Sequence, residues 1–321
     1  MPQNFLPTIL GRGCRHTPAA RLLTCSCLLT FVSVFSWAAQ TQNATTPPSA
    51  ASQPAVASPR TITIAFWNIQ WFPGQRPDAT SNAERRQTAA VHKAMKQIDP
   101  DILGMEEVRN FDKAGLAVQP LSGFKVDVCA NFPPREGQNE AQEVAIASRL
   151  PAISAWAEAW KPAGAATPPR GFAFAAYQVG PRELLFVYGV HFKSNRGELT
   201  EDVSIRQEST RQLLSHVAAM HQAYRGLGQI SCVIGGDFNT SLDDQRFATE
   251  NSLRDLLKNG FSWVWQNVPV KSRMTLPSEK DFPAACFDHI FYRGAKLRRA
   301  EVINTTRESS DHKPIVAIFE F

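Results

Sequence analysis

Short polar clusters punctuate this chain at the ends of apolar runs. They are Asn68, Glu106-Glu107, His191, Gly236-Asp237-Phe238-Asn239, Asp288-His289 and Ser310-Asp311-His312-Lys313-Pro314. In α/β sheets, ligands sit beyond the strand ends, so residues distant in sequence can meet there. Carboxylates gathered in this way repel one another unless a cation joins them. Carboxylate and Asn oxygens suit a hard ion: Mg²⁺, Ca²⁺ or Mn²⁺. Zinc fits less well, because no Cys/His cluster has its spacing. Histidines beside acids add proton transfer near neutral pH.

The elements that must position these residues follow from periodicity. Thr61 to Trp67 alternates, with Ile62, Ile64 and Phe66 on one face of a half-buried strand. Residues 83–98 form a helix that carries Val91, Ala94, Met95 and Ile98 on one face. Asp99-Pro100 ends that helix, because proline disfavours helix at the residue before it. Strands are predicted at 101–105, 124–128, 143–148, 172–178, 184–190 and 230–235, and a helix at 204–224. The chain ends in strands at 287–292, 297–303 and 314–321. Residues 61–321 contain no linker and no internal repeat, so they read as one domain. Interleaved helices and hairpin-like strands indicate α/β architecture with mixed sheets.

Taken in order, Phe66-Trp67-Asn68-Ile69, Glu106-Glu107-Val108, His191, Gly236-Asp237-Phe238-Asn239, Phe287-Asp288-His289 and Ser310-Asp311-His312 resemble the motifs of the endonuclease/exonuclease/phosphatase superfamily. Together they cover nearly all of residues 61–321. The resemblance implies a DNase I-like four-layer sandwich, two mixed β-sheets face to face with helices outside. It implies a divalent cation, Mg²⁺ or else Mn²⁺ or Ca²⁺, bound by Glu107 and completed by Asn68 and Asp311. Asp237 and Asn239 match the pair that positions the attacking water and the phosphate. His312 matches the catalytic His, Asp288 the acid that orients it, and His191 the second His. Such a site hydrolyses phosphodiesters: the cation neutralises a phosphoryl oxygen, and histidines with partner acids move protons.

The superfamily covers DNases, abasic-site endonucleases, sphingomyelinases and inositol-phosphate phosphatases. Three details resemble secreted deoxyribonucleases: Arg109 after Glu106-Glu107-Val108, a His at 191, and Cys286 two residues before Asp288. Arg109 would enter the negative minor groove of DNA, or else be a surface ion-pair partner. Lys193 and Asn195 are candidate phosphate contacts, and Glu143 is a candidate partner of His191. Arg206 and Arg211 lie on a predicted helix, where arginines ordinarily face solvent. Glu106 departs from the Gln that many members carry. It either raises the pKa of Glu107 or points away, and strand alternation favours the second. The expected activity is a secreted phosphodiesterase acting as a nuclease on DNA or RNA. A sphingomyelinase-like or inositol-phosphate phosphoesterase is the alternative, and a non-catalytic binding member the third. Phe261-Ser262-Trp263-Val264-Trp265 would serve a membrane-entering hairpin, but its alternation reads better as a core strand.

No acid precedes Asp78, and Arg12, Arg15, His16 and Arg21 precede an uncharged run from Leu22 to Trp37. Ser36-Trp37-Ala38 then fits signal-peptidase cleavage after Ala38. The run is short for a membrane span, which needs about 20 apolar residues. Residues 1–38 are thus read as a signal peptide, with an uncleaved anchor as the alternative. Residues 39–60, rich in Thr, Pro, Ser and Ala, read as a flexible linker. The mature chain is expected to be exported to periplasm or medium, monomeric and without membrane insertion. Of 34 Lys and Arg against 29 acids, three bases fall in the signal, so the remainder is nearly balanced. The net positive charge therefore belongs largely to the N-terminus rather than to a basic nucleic-acid face, and charge alone says little about partners. The chain has 6 cysteines in 321 residues, too few for a disulfide scaffold. Cys232 reads as a buried thiol, and Cys129 with Cys286 is the pair able to form a disulfide.

Overall fold

The computed structural model describes residues 60–134, 141–279 and 283–321. The predicted signal and all of the linker except Arg60 lie outside the described residues. The first half holds β1 (Thr61–Phe72), α1 (Ser81–Ile98), β2 (Ile102–Val108), α2 (Phe111–Val118), β3 (Lys125–Cys129) and β4 (Glu143–Ser148). Next come β5 (Ala152–Ala159), β6 (Gly171–Gly180), β7 (Glu183–His191), α3 (Leu199–Tyr224), β8 (Gln229–Asp237) and α4 (Ser252–Lys258). The chain closes with β9 (Ser262–Trp263), β10 (Asp288–Arg293), β11 (Lys296–Val302) and β12 (Ile315–Glu320). Two six-stranded sheets result, in the orders β11-β12-β1-β2-β4-β3 and β5-β6-β7-β8-β10-β9. Both are mixed: β1 runs parallel to β2 and β7 parallel to β8, while the other pairings are antiparallel.

Side-chain alternation builds the layers. Ile62, Ile64 and Phe66 enter the core between the sheets, while Ala65 and Trp67 join the outer core under α1 and α2. Because both faces of β1 are covered, its middle residues are buried without a break. The Phe66 ring lies between Gly104 on β2 and Gly235 on β8. A Cβ at either glycine would come within 2.3 Å of that ring. On the outer side of the second sheet, α3 contributes Leu213 and Val217 to the core. Helix α1 starts at Thr80, whose side chain accepts from the Ala83 amide, and ends at Asp99 in the left-handed region.

Parallel pairing brings the functional strand ends together. Asn68 of β1 stands opposite Glu106 of β2, and His191 of β7 opposite Asp237 of β8. Asp288 of β10 pairs with Asp237 from the other side. Two expectations change, and the core reading of residues 261–265 holds. Cys129, Cys232 and Cys286 are all free thiols, with Cys129 on the first sheet and Cys286 leading into the second. Phe261, Trp263 and Trp265 are buried core residues, so no aromatic tip is offered to a membrane. Strand β5 and helices α2 and α4 lie where no element is predicted. Among the described residues, no helix is long and apolar enough to cross a membrane.

Candidate active site

A bulge sets the acids of β2. Pairing shifts between Glu106 and Val108, and Glu107 takes φ +62°. Alternation sets Glu106 on the inner face with Ile102 and Gly104, and the bulge turns Glu107 to the site as well instead of away from it. Rather than pointing away, Glu106 is fully buried under the site, where a Cβ on Gly236 would lie 2.7 Å from its Oε1. Neither Glu106 oxygen has a hydrogen-bond partner among the described residues. Burial, then the charges of Asp288 and Asp237, hold its carboxyl well above the usual range. Gly236 itself has φ +131°, and a Cβ there would sit 2.1 Å from the Val190 carbonyl. Only glycine lets β8 pass this point and deliver Asp237.

Asp237 is the hub. Its Oδ2 accepts from Nδ2 of Asn68 (3.2 Å) and of Asn239 (3.1 Å), and its Oδ1 from the Asn239 amide (2.9 Å). His191 Nε2 lies 3.6 Å from Oδ2 on one side, and His312 Nε2 3.8 Å on the other. His312 Nδ1 is hydrogen-bonded to Asp288 Oδ2 at 2.8 Å. Burial pushes Asp237 up to about 7, against the pull of His312. Burial opposes charge on His312 too, but Asp288, Asp237 and Asp311 outweigh it and hold the imidazole well above its ordinary value. Asp237, Asp288 and His312 bring their ligand atoms within 4.8 Å of one another.

Glu107 faces the same space. Its Oε1 lies 3.7 Å from His191 Nε2 and accepts from Asn68 Nδ2 at 3.2 Å. Its Oε2 accepts from the Trp71 amide at 3.2 Å. Burial, then repulsion from Asp311, raises its pKa. This donor set fits a divalent cation: acidic oxygens crowd together, and a bound ion would relieve their repulsion. Asn68 does not offer its oxygen to that space. Its Oδ1 accepts from the Gln70 amide, while its nitrogen links Glu107 to Asp237.

The loops are tied by side chains that motif reading passes over. Gln70 Oε1 accepts from the Asp311 amide at 3.1 Å, and Ser310 Oγ donates to the Asn68 carbonyl at 2.7 Å. Trp67 Nε1 donates to the His312 carbonyl at 3.0 Å. Buried Gln87 on α1 donates to the carbonyls of Ile69, Gln70 and Ser309 and accepts from the amides of Gly74 and Gln75. Its signal was present: Gln87 occupies a polar place on the Val91, Ala94, Met95, Ile98 stripe, one turn earlier.

The structure thus brings together Asn68, Glu107, His191, Asp237, Asn239, Asp288, Asp311 and His312. It directs four other candidates elsewhere. Arg109 is 7% exposed at its side chain, paired with Glu84 at 2.8 Å, and donates to the carbonyls of Arg76 and Pro77. It braces the loop after β1 rather than reaching outward. Lys193 pairs with buried Asp202 at 2.5 Å. Asn195 donates to the Asn239 carbonyl at 2.7 Å and accepts from Arg206 at 2.9 Å. Glu143 turns both oxygens to the Phe132 amide, at 3.1 and 3.0 Å, instead of to His191. Arg206, expected on a solvated face, is fully buried against Glu250.

Solved structures share this architecture. An endonuclease/exonuclease/phosphatase from Beutenbergia cavernae superposes with TM-score 0.60 at 19% identity, covering 82% of this chain and 72% of its own. A family protein from Bacteroides thetaiotaomicron gives 0.58 at 17%, covering 82% and 96%. D. rerio TDP2 complexed with single strand DNA product gives 0.57 at 16%, covering 81% and 98%. No curated protein matches the sequence significantly. The model of the Endonuclease/Exonuclease/phosphatase family matches residues 65–312, nearly the whole described fold and every residue of the cluster, and the chain belongs to that family.

Proposed function

We propose that this chain is an exported, divalent-metal-dependent phosphodiesterase that cleaves nucleic acid. The observation that carries the reaction is the row His191, Asp237, His312, Asp288. Two imidazole Nε2 atoms flank one buried carboxylate, at 3.6 and 3.8 Å, and the second imidazole is fixed by its own acid. A divalent cation would be held by Glu107 and Asp311; when bound, it supplies charge neutralisation at a phosphoryl oxygen. Asp237 and Asn239 orient a water for in-line attack, and Asp237 accepts its proton near neutral pH. His312, kept protonated by Asp288 and Asp237, donates from Nε2 to the leaving oxygen. His191 stabilises charge on the side toward Glu107.

Nucleic acid as substrate is supported by the likeness to a TDP2 structure that holds single strand DNA product. Export rests on residues 1–38 and is tested by N-terminal sequencing of the protein recovered outside the cytoplasm, with Ala39 expected first. The activity test uses residues 39–321 with supercoiled plasmid, RNA, bis-p-nitrophenyl phosphate and sphingomyelin in parallel. Each is run with Mg²⁺, Mn²⁺, Ca²⁺ or EDTA beside His312→Ala. Nicking that requires metal and His312 is expected. Intact plasmid with cleaved sphingomyelin overturns the substrate choice. No hydrolysis of any substrate overturns the reaction.

A further inference from the structure

His191 ends β7, and two arginines take the acceptors of His191 and the loop that follows it. Arg170, just before β6, donates from Nε to the His191 carbonyl (3.1 Å) and from Nη2 to the Phe192 carbonyl (2.7 Å). Its Nη1 reaches Gln142 Oε1 at 3.2 Å. Arg206, on α3, donates from Nη1 to the Lys193 carbonyl (3.0 Å) and to Asn195 Oδ1 (2.9 Å). Three consecutive carbonyls and one side chain are therefore held by two planar forks. A guanidinium presents several donors in one rigid plane, so it fixes the spacing of the acceptors it binds.

Arg206 is itself anchored. It is 0% exposed and makes two bonds to Glu250, at 2.9 and 2.7 Å, and Ser252 Oγ adds a third to Glu250 at 2.7 Å. A buried pair of this kind is weak evidence for net stability, because both ions lose their hydration. What it supplies here is a fixed direction. Asn195 passes that direction on by donating to the Asn239 carbonyl at 2.7 Å. Asn239, held at φ +53°, binds the Phe192 carbonyl and Asp237 through Nδ2, at 3.1 Å each. Hydrogen bonds thus run unbroken from Glu250 in the outer layer to Asp237.

We propose that Arg170 and Arg206 form a two-guanidinium clamp that positions His191 and Asn239, with Arg206 acting through Asn195. The kinetic part rests on the phosphodiesterase reading above. Both arginines are positioning residues. Arg206 is too deep to meet a polymer, and Arg170 acts on the backbone of His191 and of the loop that follows it. Lysine cannot replace either one, since a single ammonium does not span two acceptors set by a planar fork.

The test compares Arg170→Lys, Arg206→Lys and Asn195→Ala with Arg211→Ala, whose side chain is 66% exposed and pairs with Glu208. Asn195→Ala keeps the Arg206–Glu250 pair, so it still reads the link if Arg206→Lys fails to fold. On bis-p-nitrophenyl phosphate, Arg170→Lys and Asn195→Ala should lower kcat by ~10- to 100-fold with KM within about twofold, the signature of misplaced groups. Amide hydrogen exchange over residues 191–195 should speed up in both, while Arg211→Ala changes neither reading. The clamp is overturned if kcat in both variants matches Arg211→Ala, or if KM rises while kcat holds. Unchanged exchange across residues 191–195 overturns it as well. Exchange needs no turnover: should the wild type hydrolyse nothing, the proposed reaction falls and exchange still decides the clamp.

Discussion

At the scale of single residues, Asp237 accepts bonds from two asparagines and faces two imidazoles, yet its burial keeps it at about 7. A carboxylate must be ionised to accept a proton from water. kcat/KM should therefore rise with pH on the acid side as the Asp237 and His312 system titrates, and fall again when His312 loses its proton. Asp288→Asn removes the charge that holds His312 protonated and leaves the packing nearly unchanged. Its kcat should fall by about 10²–10⁴-fold with native circular dichroism, as for other acid–His pairs; a loss below threefold would detach Asp288 from the chemistry. Glu106 gives the opposite sign. Its carboxyl is buried without a hydrogen-bond partner among the described residues and burial disfavours its charge, so Glu106→Gln should stabilise the metal-free protein at pH 7.5 by about 1–3 kcal/mol, the usual cost of an unsatisfied buried group. The gain should shrink toward pH 5, where the carboxyl begins to bind a proton in the unfolded chain as well, and urea unfolding at the two pH values measures it. The family resemblance made the clustered acids and histidines legible in the sequence, because chemistry limits those positions to a few residue types. Arg109, Asn195 and Glu143 were not legible. Any surface with an acceptor nearby satisfies an arginine or an amide, and only the folded loops show that Glu84, Asn239 and Phe132 stand in reach.

At the scale of elements, the site depends on how β2 and β8 end. The bulge at Glu107 puts two successive acids on the site side, and Gly236 lets β8 pass the Val190 carbonyl. Gly236→Ala forces a Cβ against a main-chain oxygen and Glu106 at a φ that L-residues rarely adopt. It should cost more than about 2 kcal/mol and abolish activity even where the fold survives, read by chemical denaturation beside kcat. α1, a long helix with one covered face, and β4, a short run buried on both faces, lie close to where the sequence put them. β5 was not, because its Ala-Ile-Ser-Ala-Trp-Ala-Glu-Ala run favours helix locally and becomes a strand only by pairing with β6. Helix α3 begins at Leu199, earlier than predicted. Its buried stripe is interrupted by Asp202, Arg206, Ser209 and Thr210, which blurs the apolar period.

At the scale of the whole molecule, the two sheets gather more negative charge at one end than their own cations balance. Glu106, Glu107 and Asp237 all have pKa values raised first by burial, and Glu143 is pushed up to about 7 for the same reason. For a raised acid, the folded state binds more protons than the unfolded one between the two pKa values. Stability is therefore lost as pH climbs through that window. His312, raised by its acids, has the same sign: its contribution is full below the unfolded value and fades as pH passes the folded one. Half-buried acids with lowered pKa, such as Glu208 and Asp244, contribute in the other direction and lose their part only under stronger acid. The metal-free protein should be most stable at about pH 5 and weaken toward pH 8. A divalent cation reverses this, because it must displace protons from the acids that hold it. Mg²⁺ or Mn²⁺ should raise Tm more at pH 7.5 than at pH 5.5. Calorimetric titration in buffers of different ionisation enthalpy should show net proton release. Equal Tm shifts at both pH values, with no proton released, would mean that the acidic end of the sandwich is not where the cation binds.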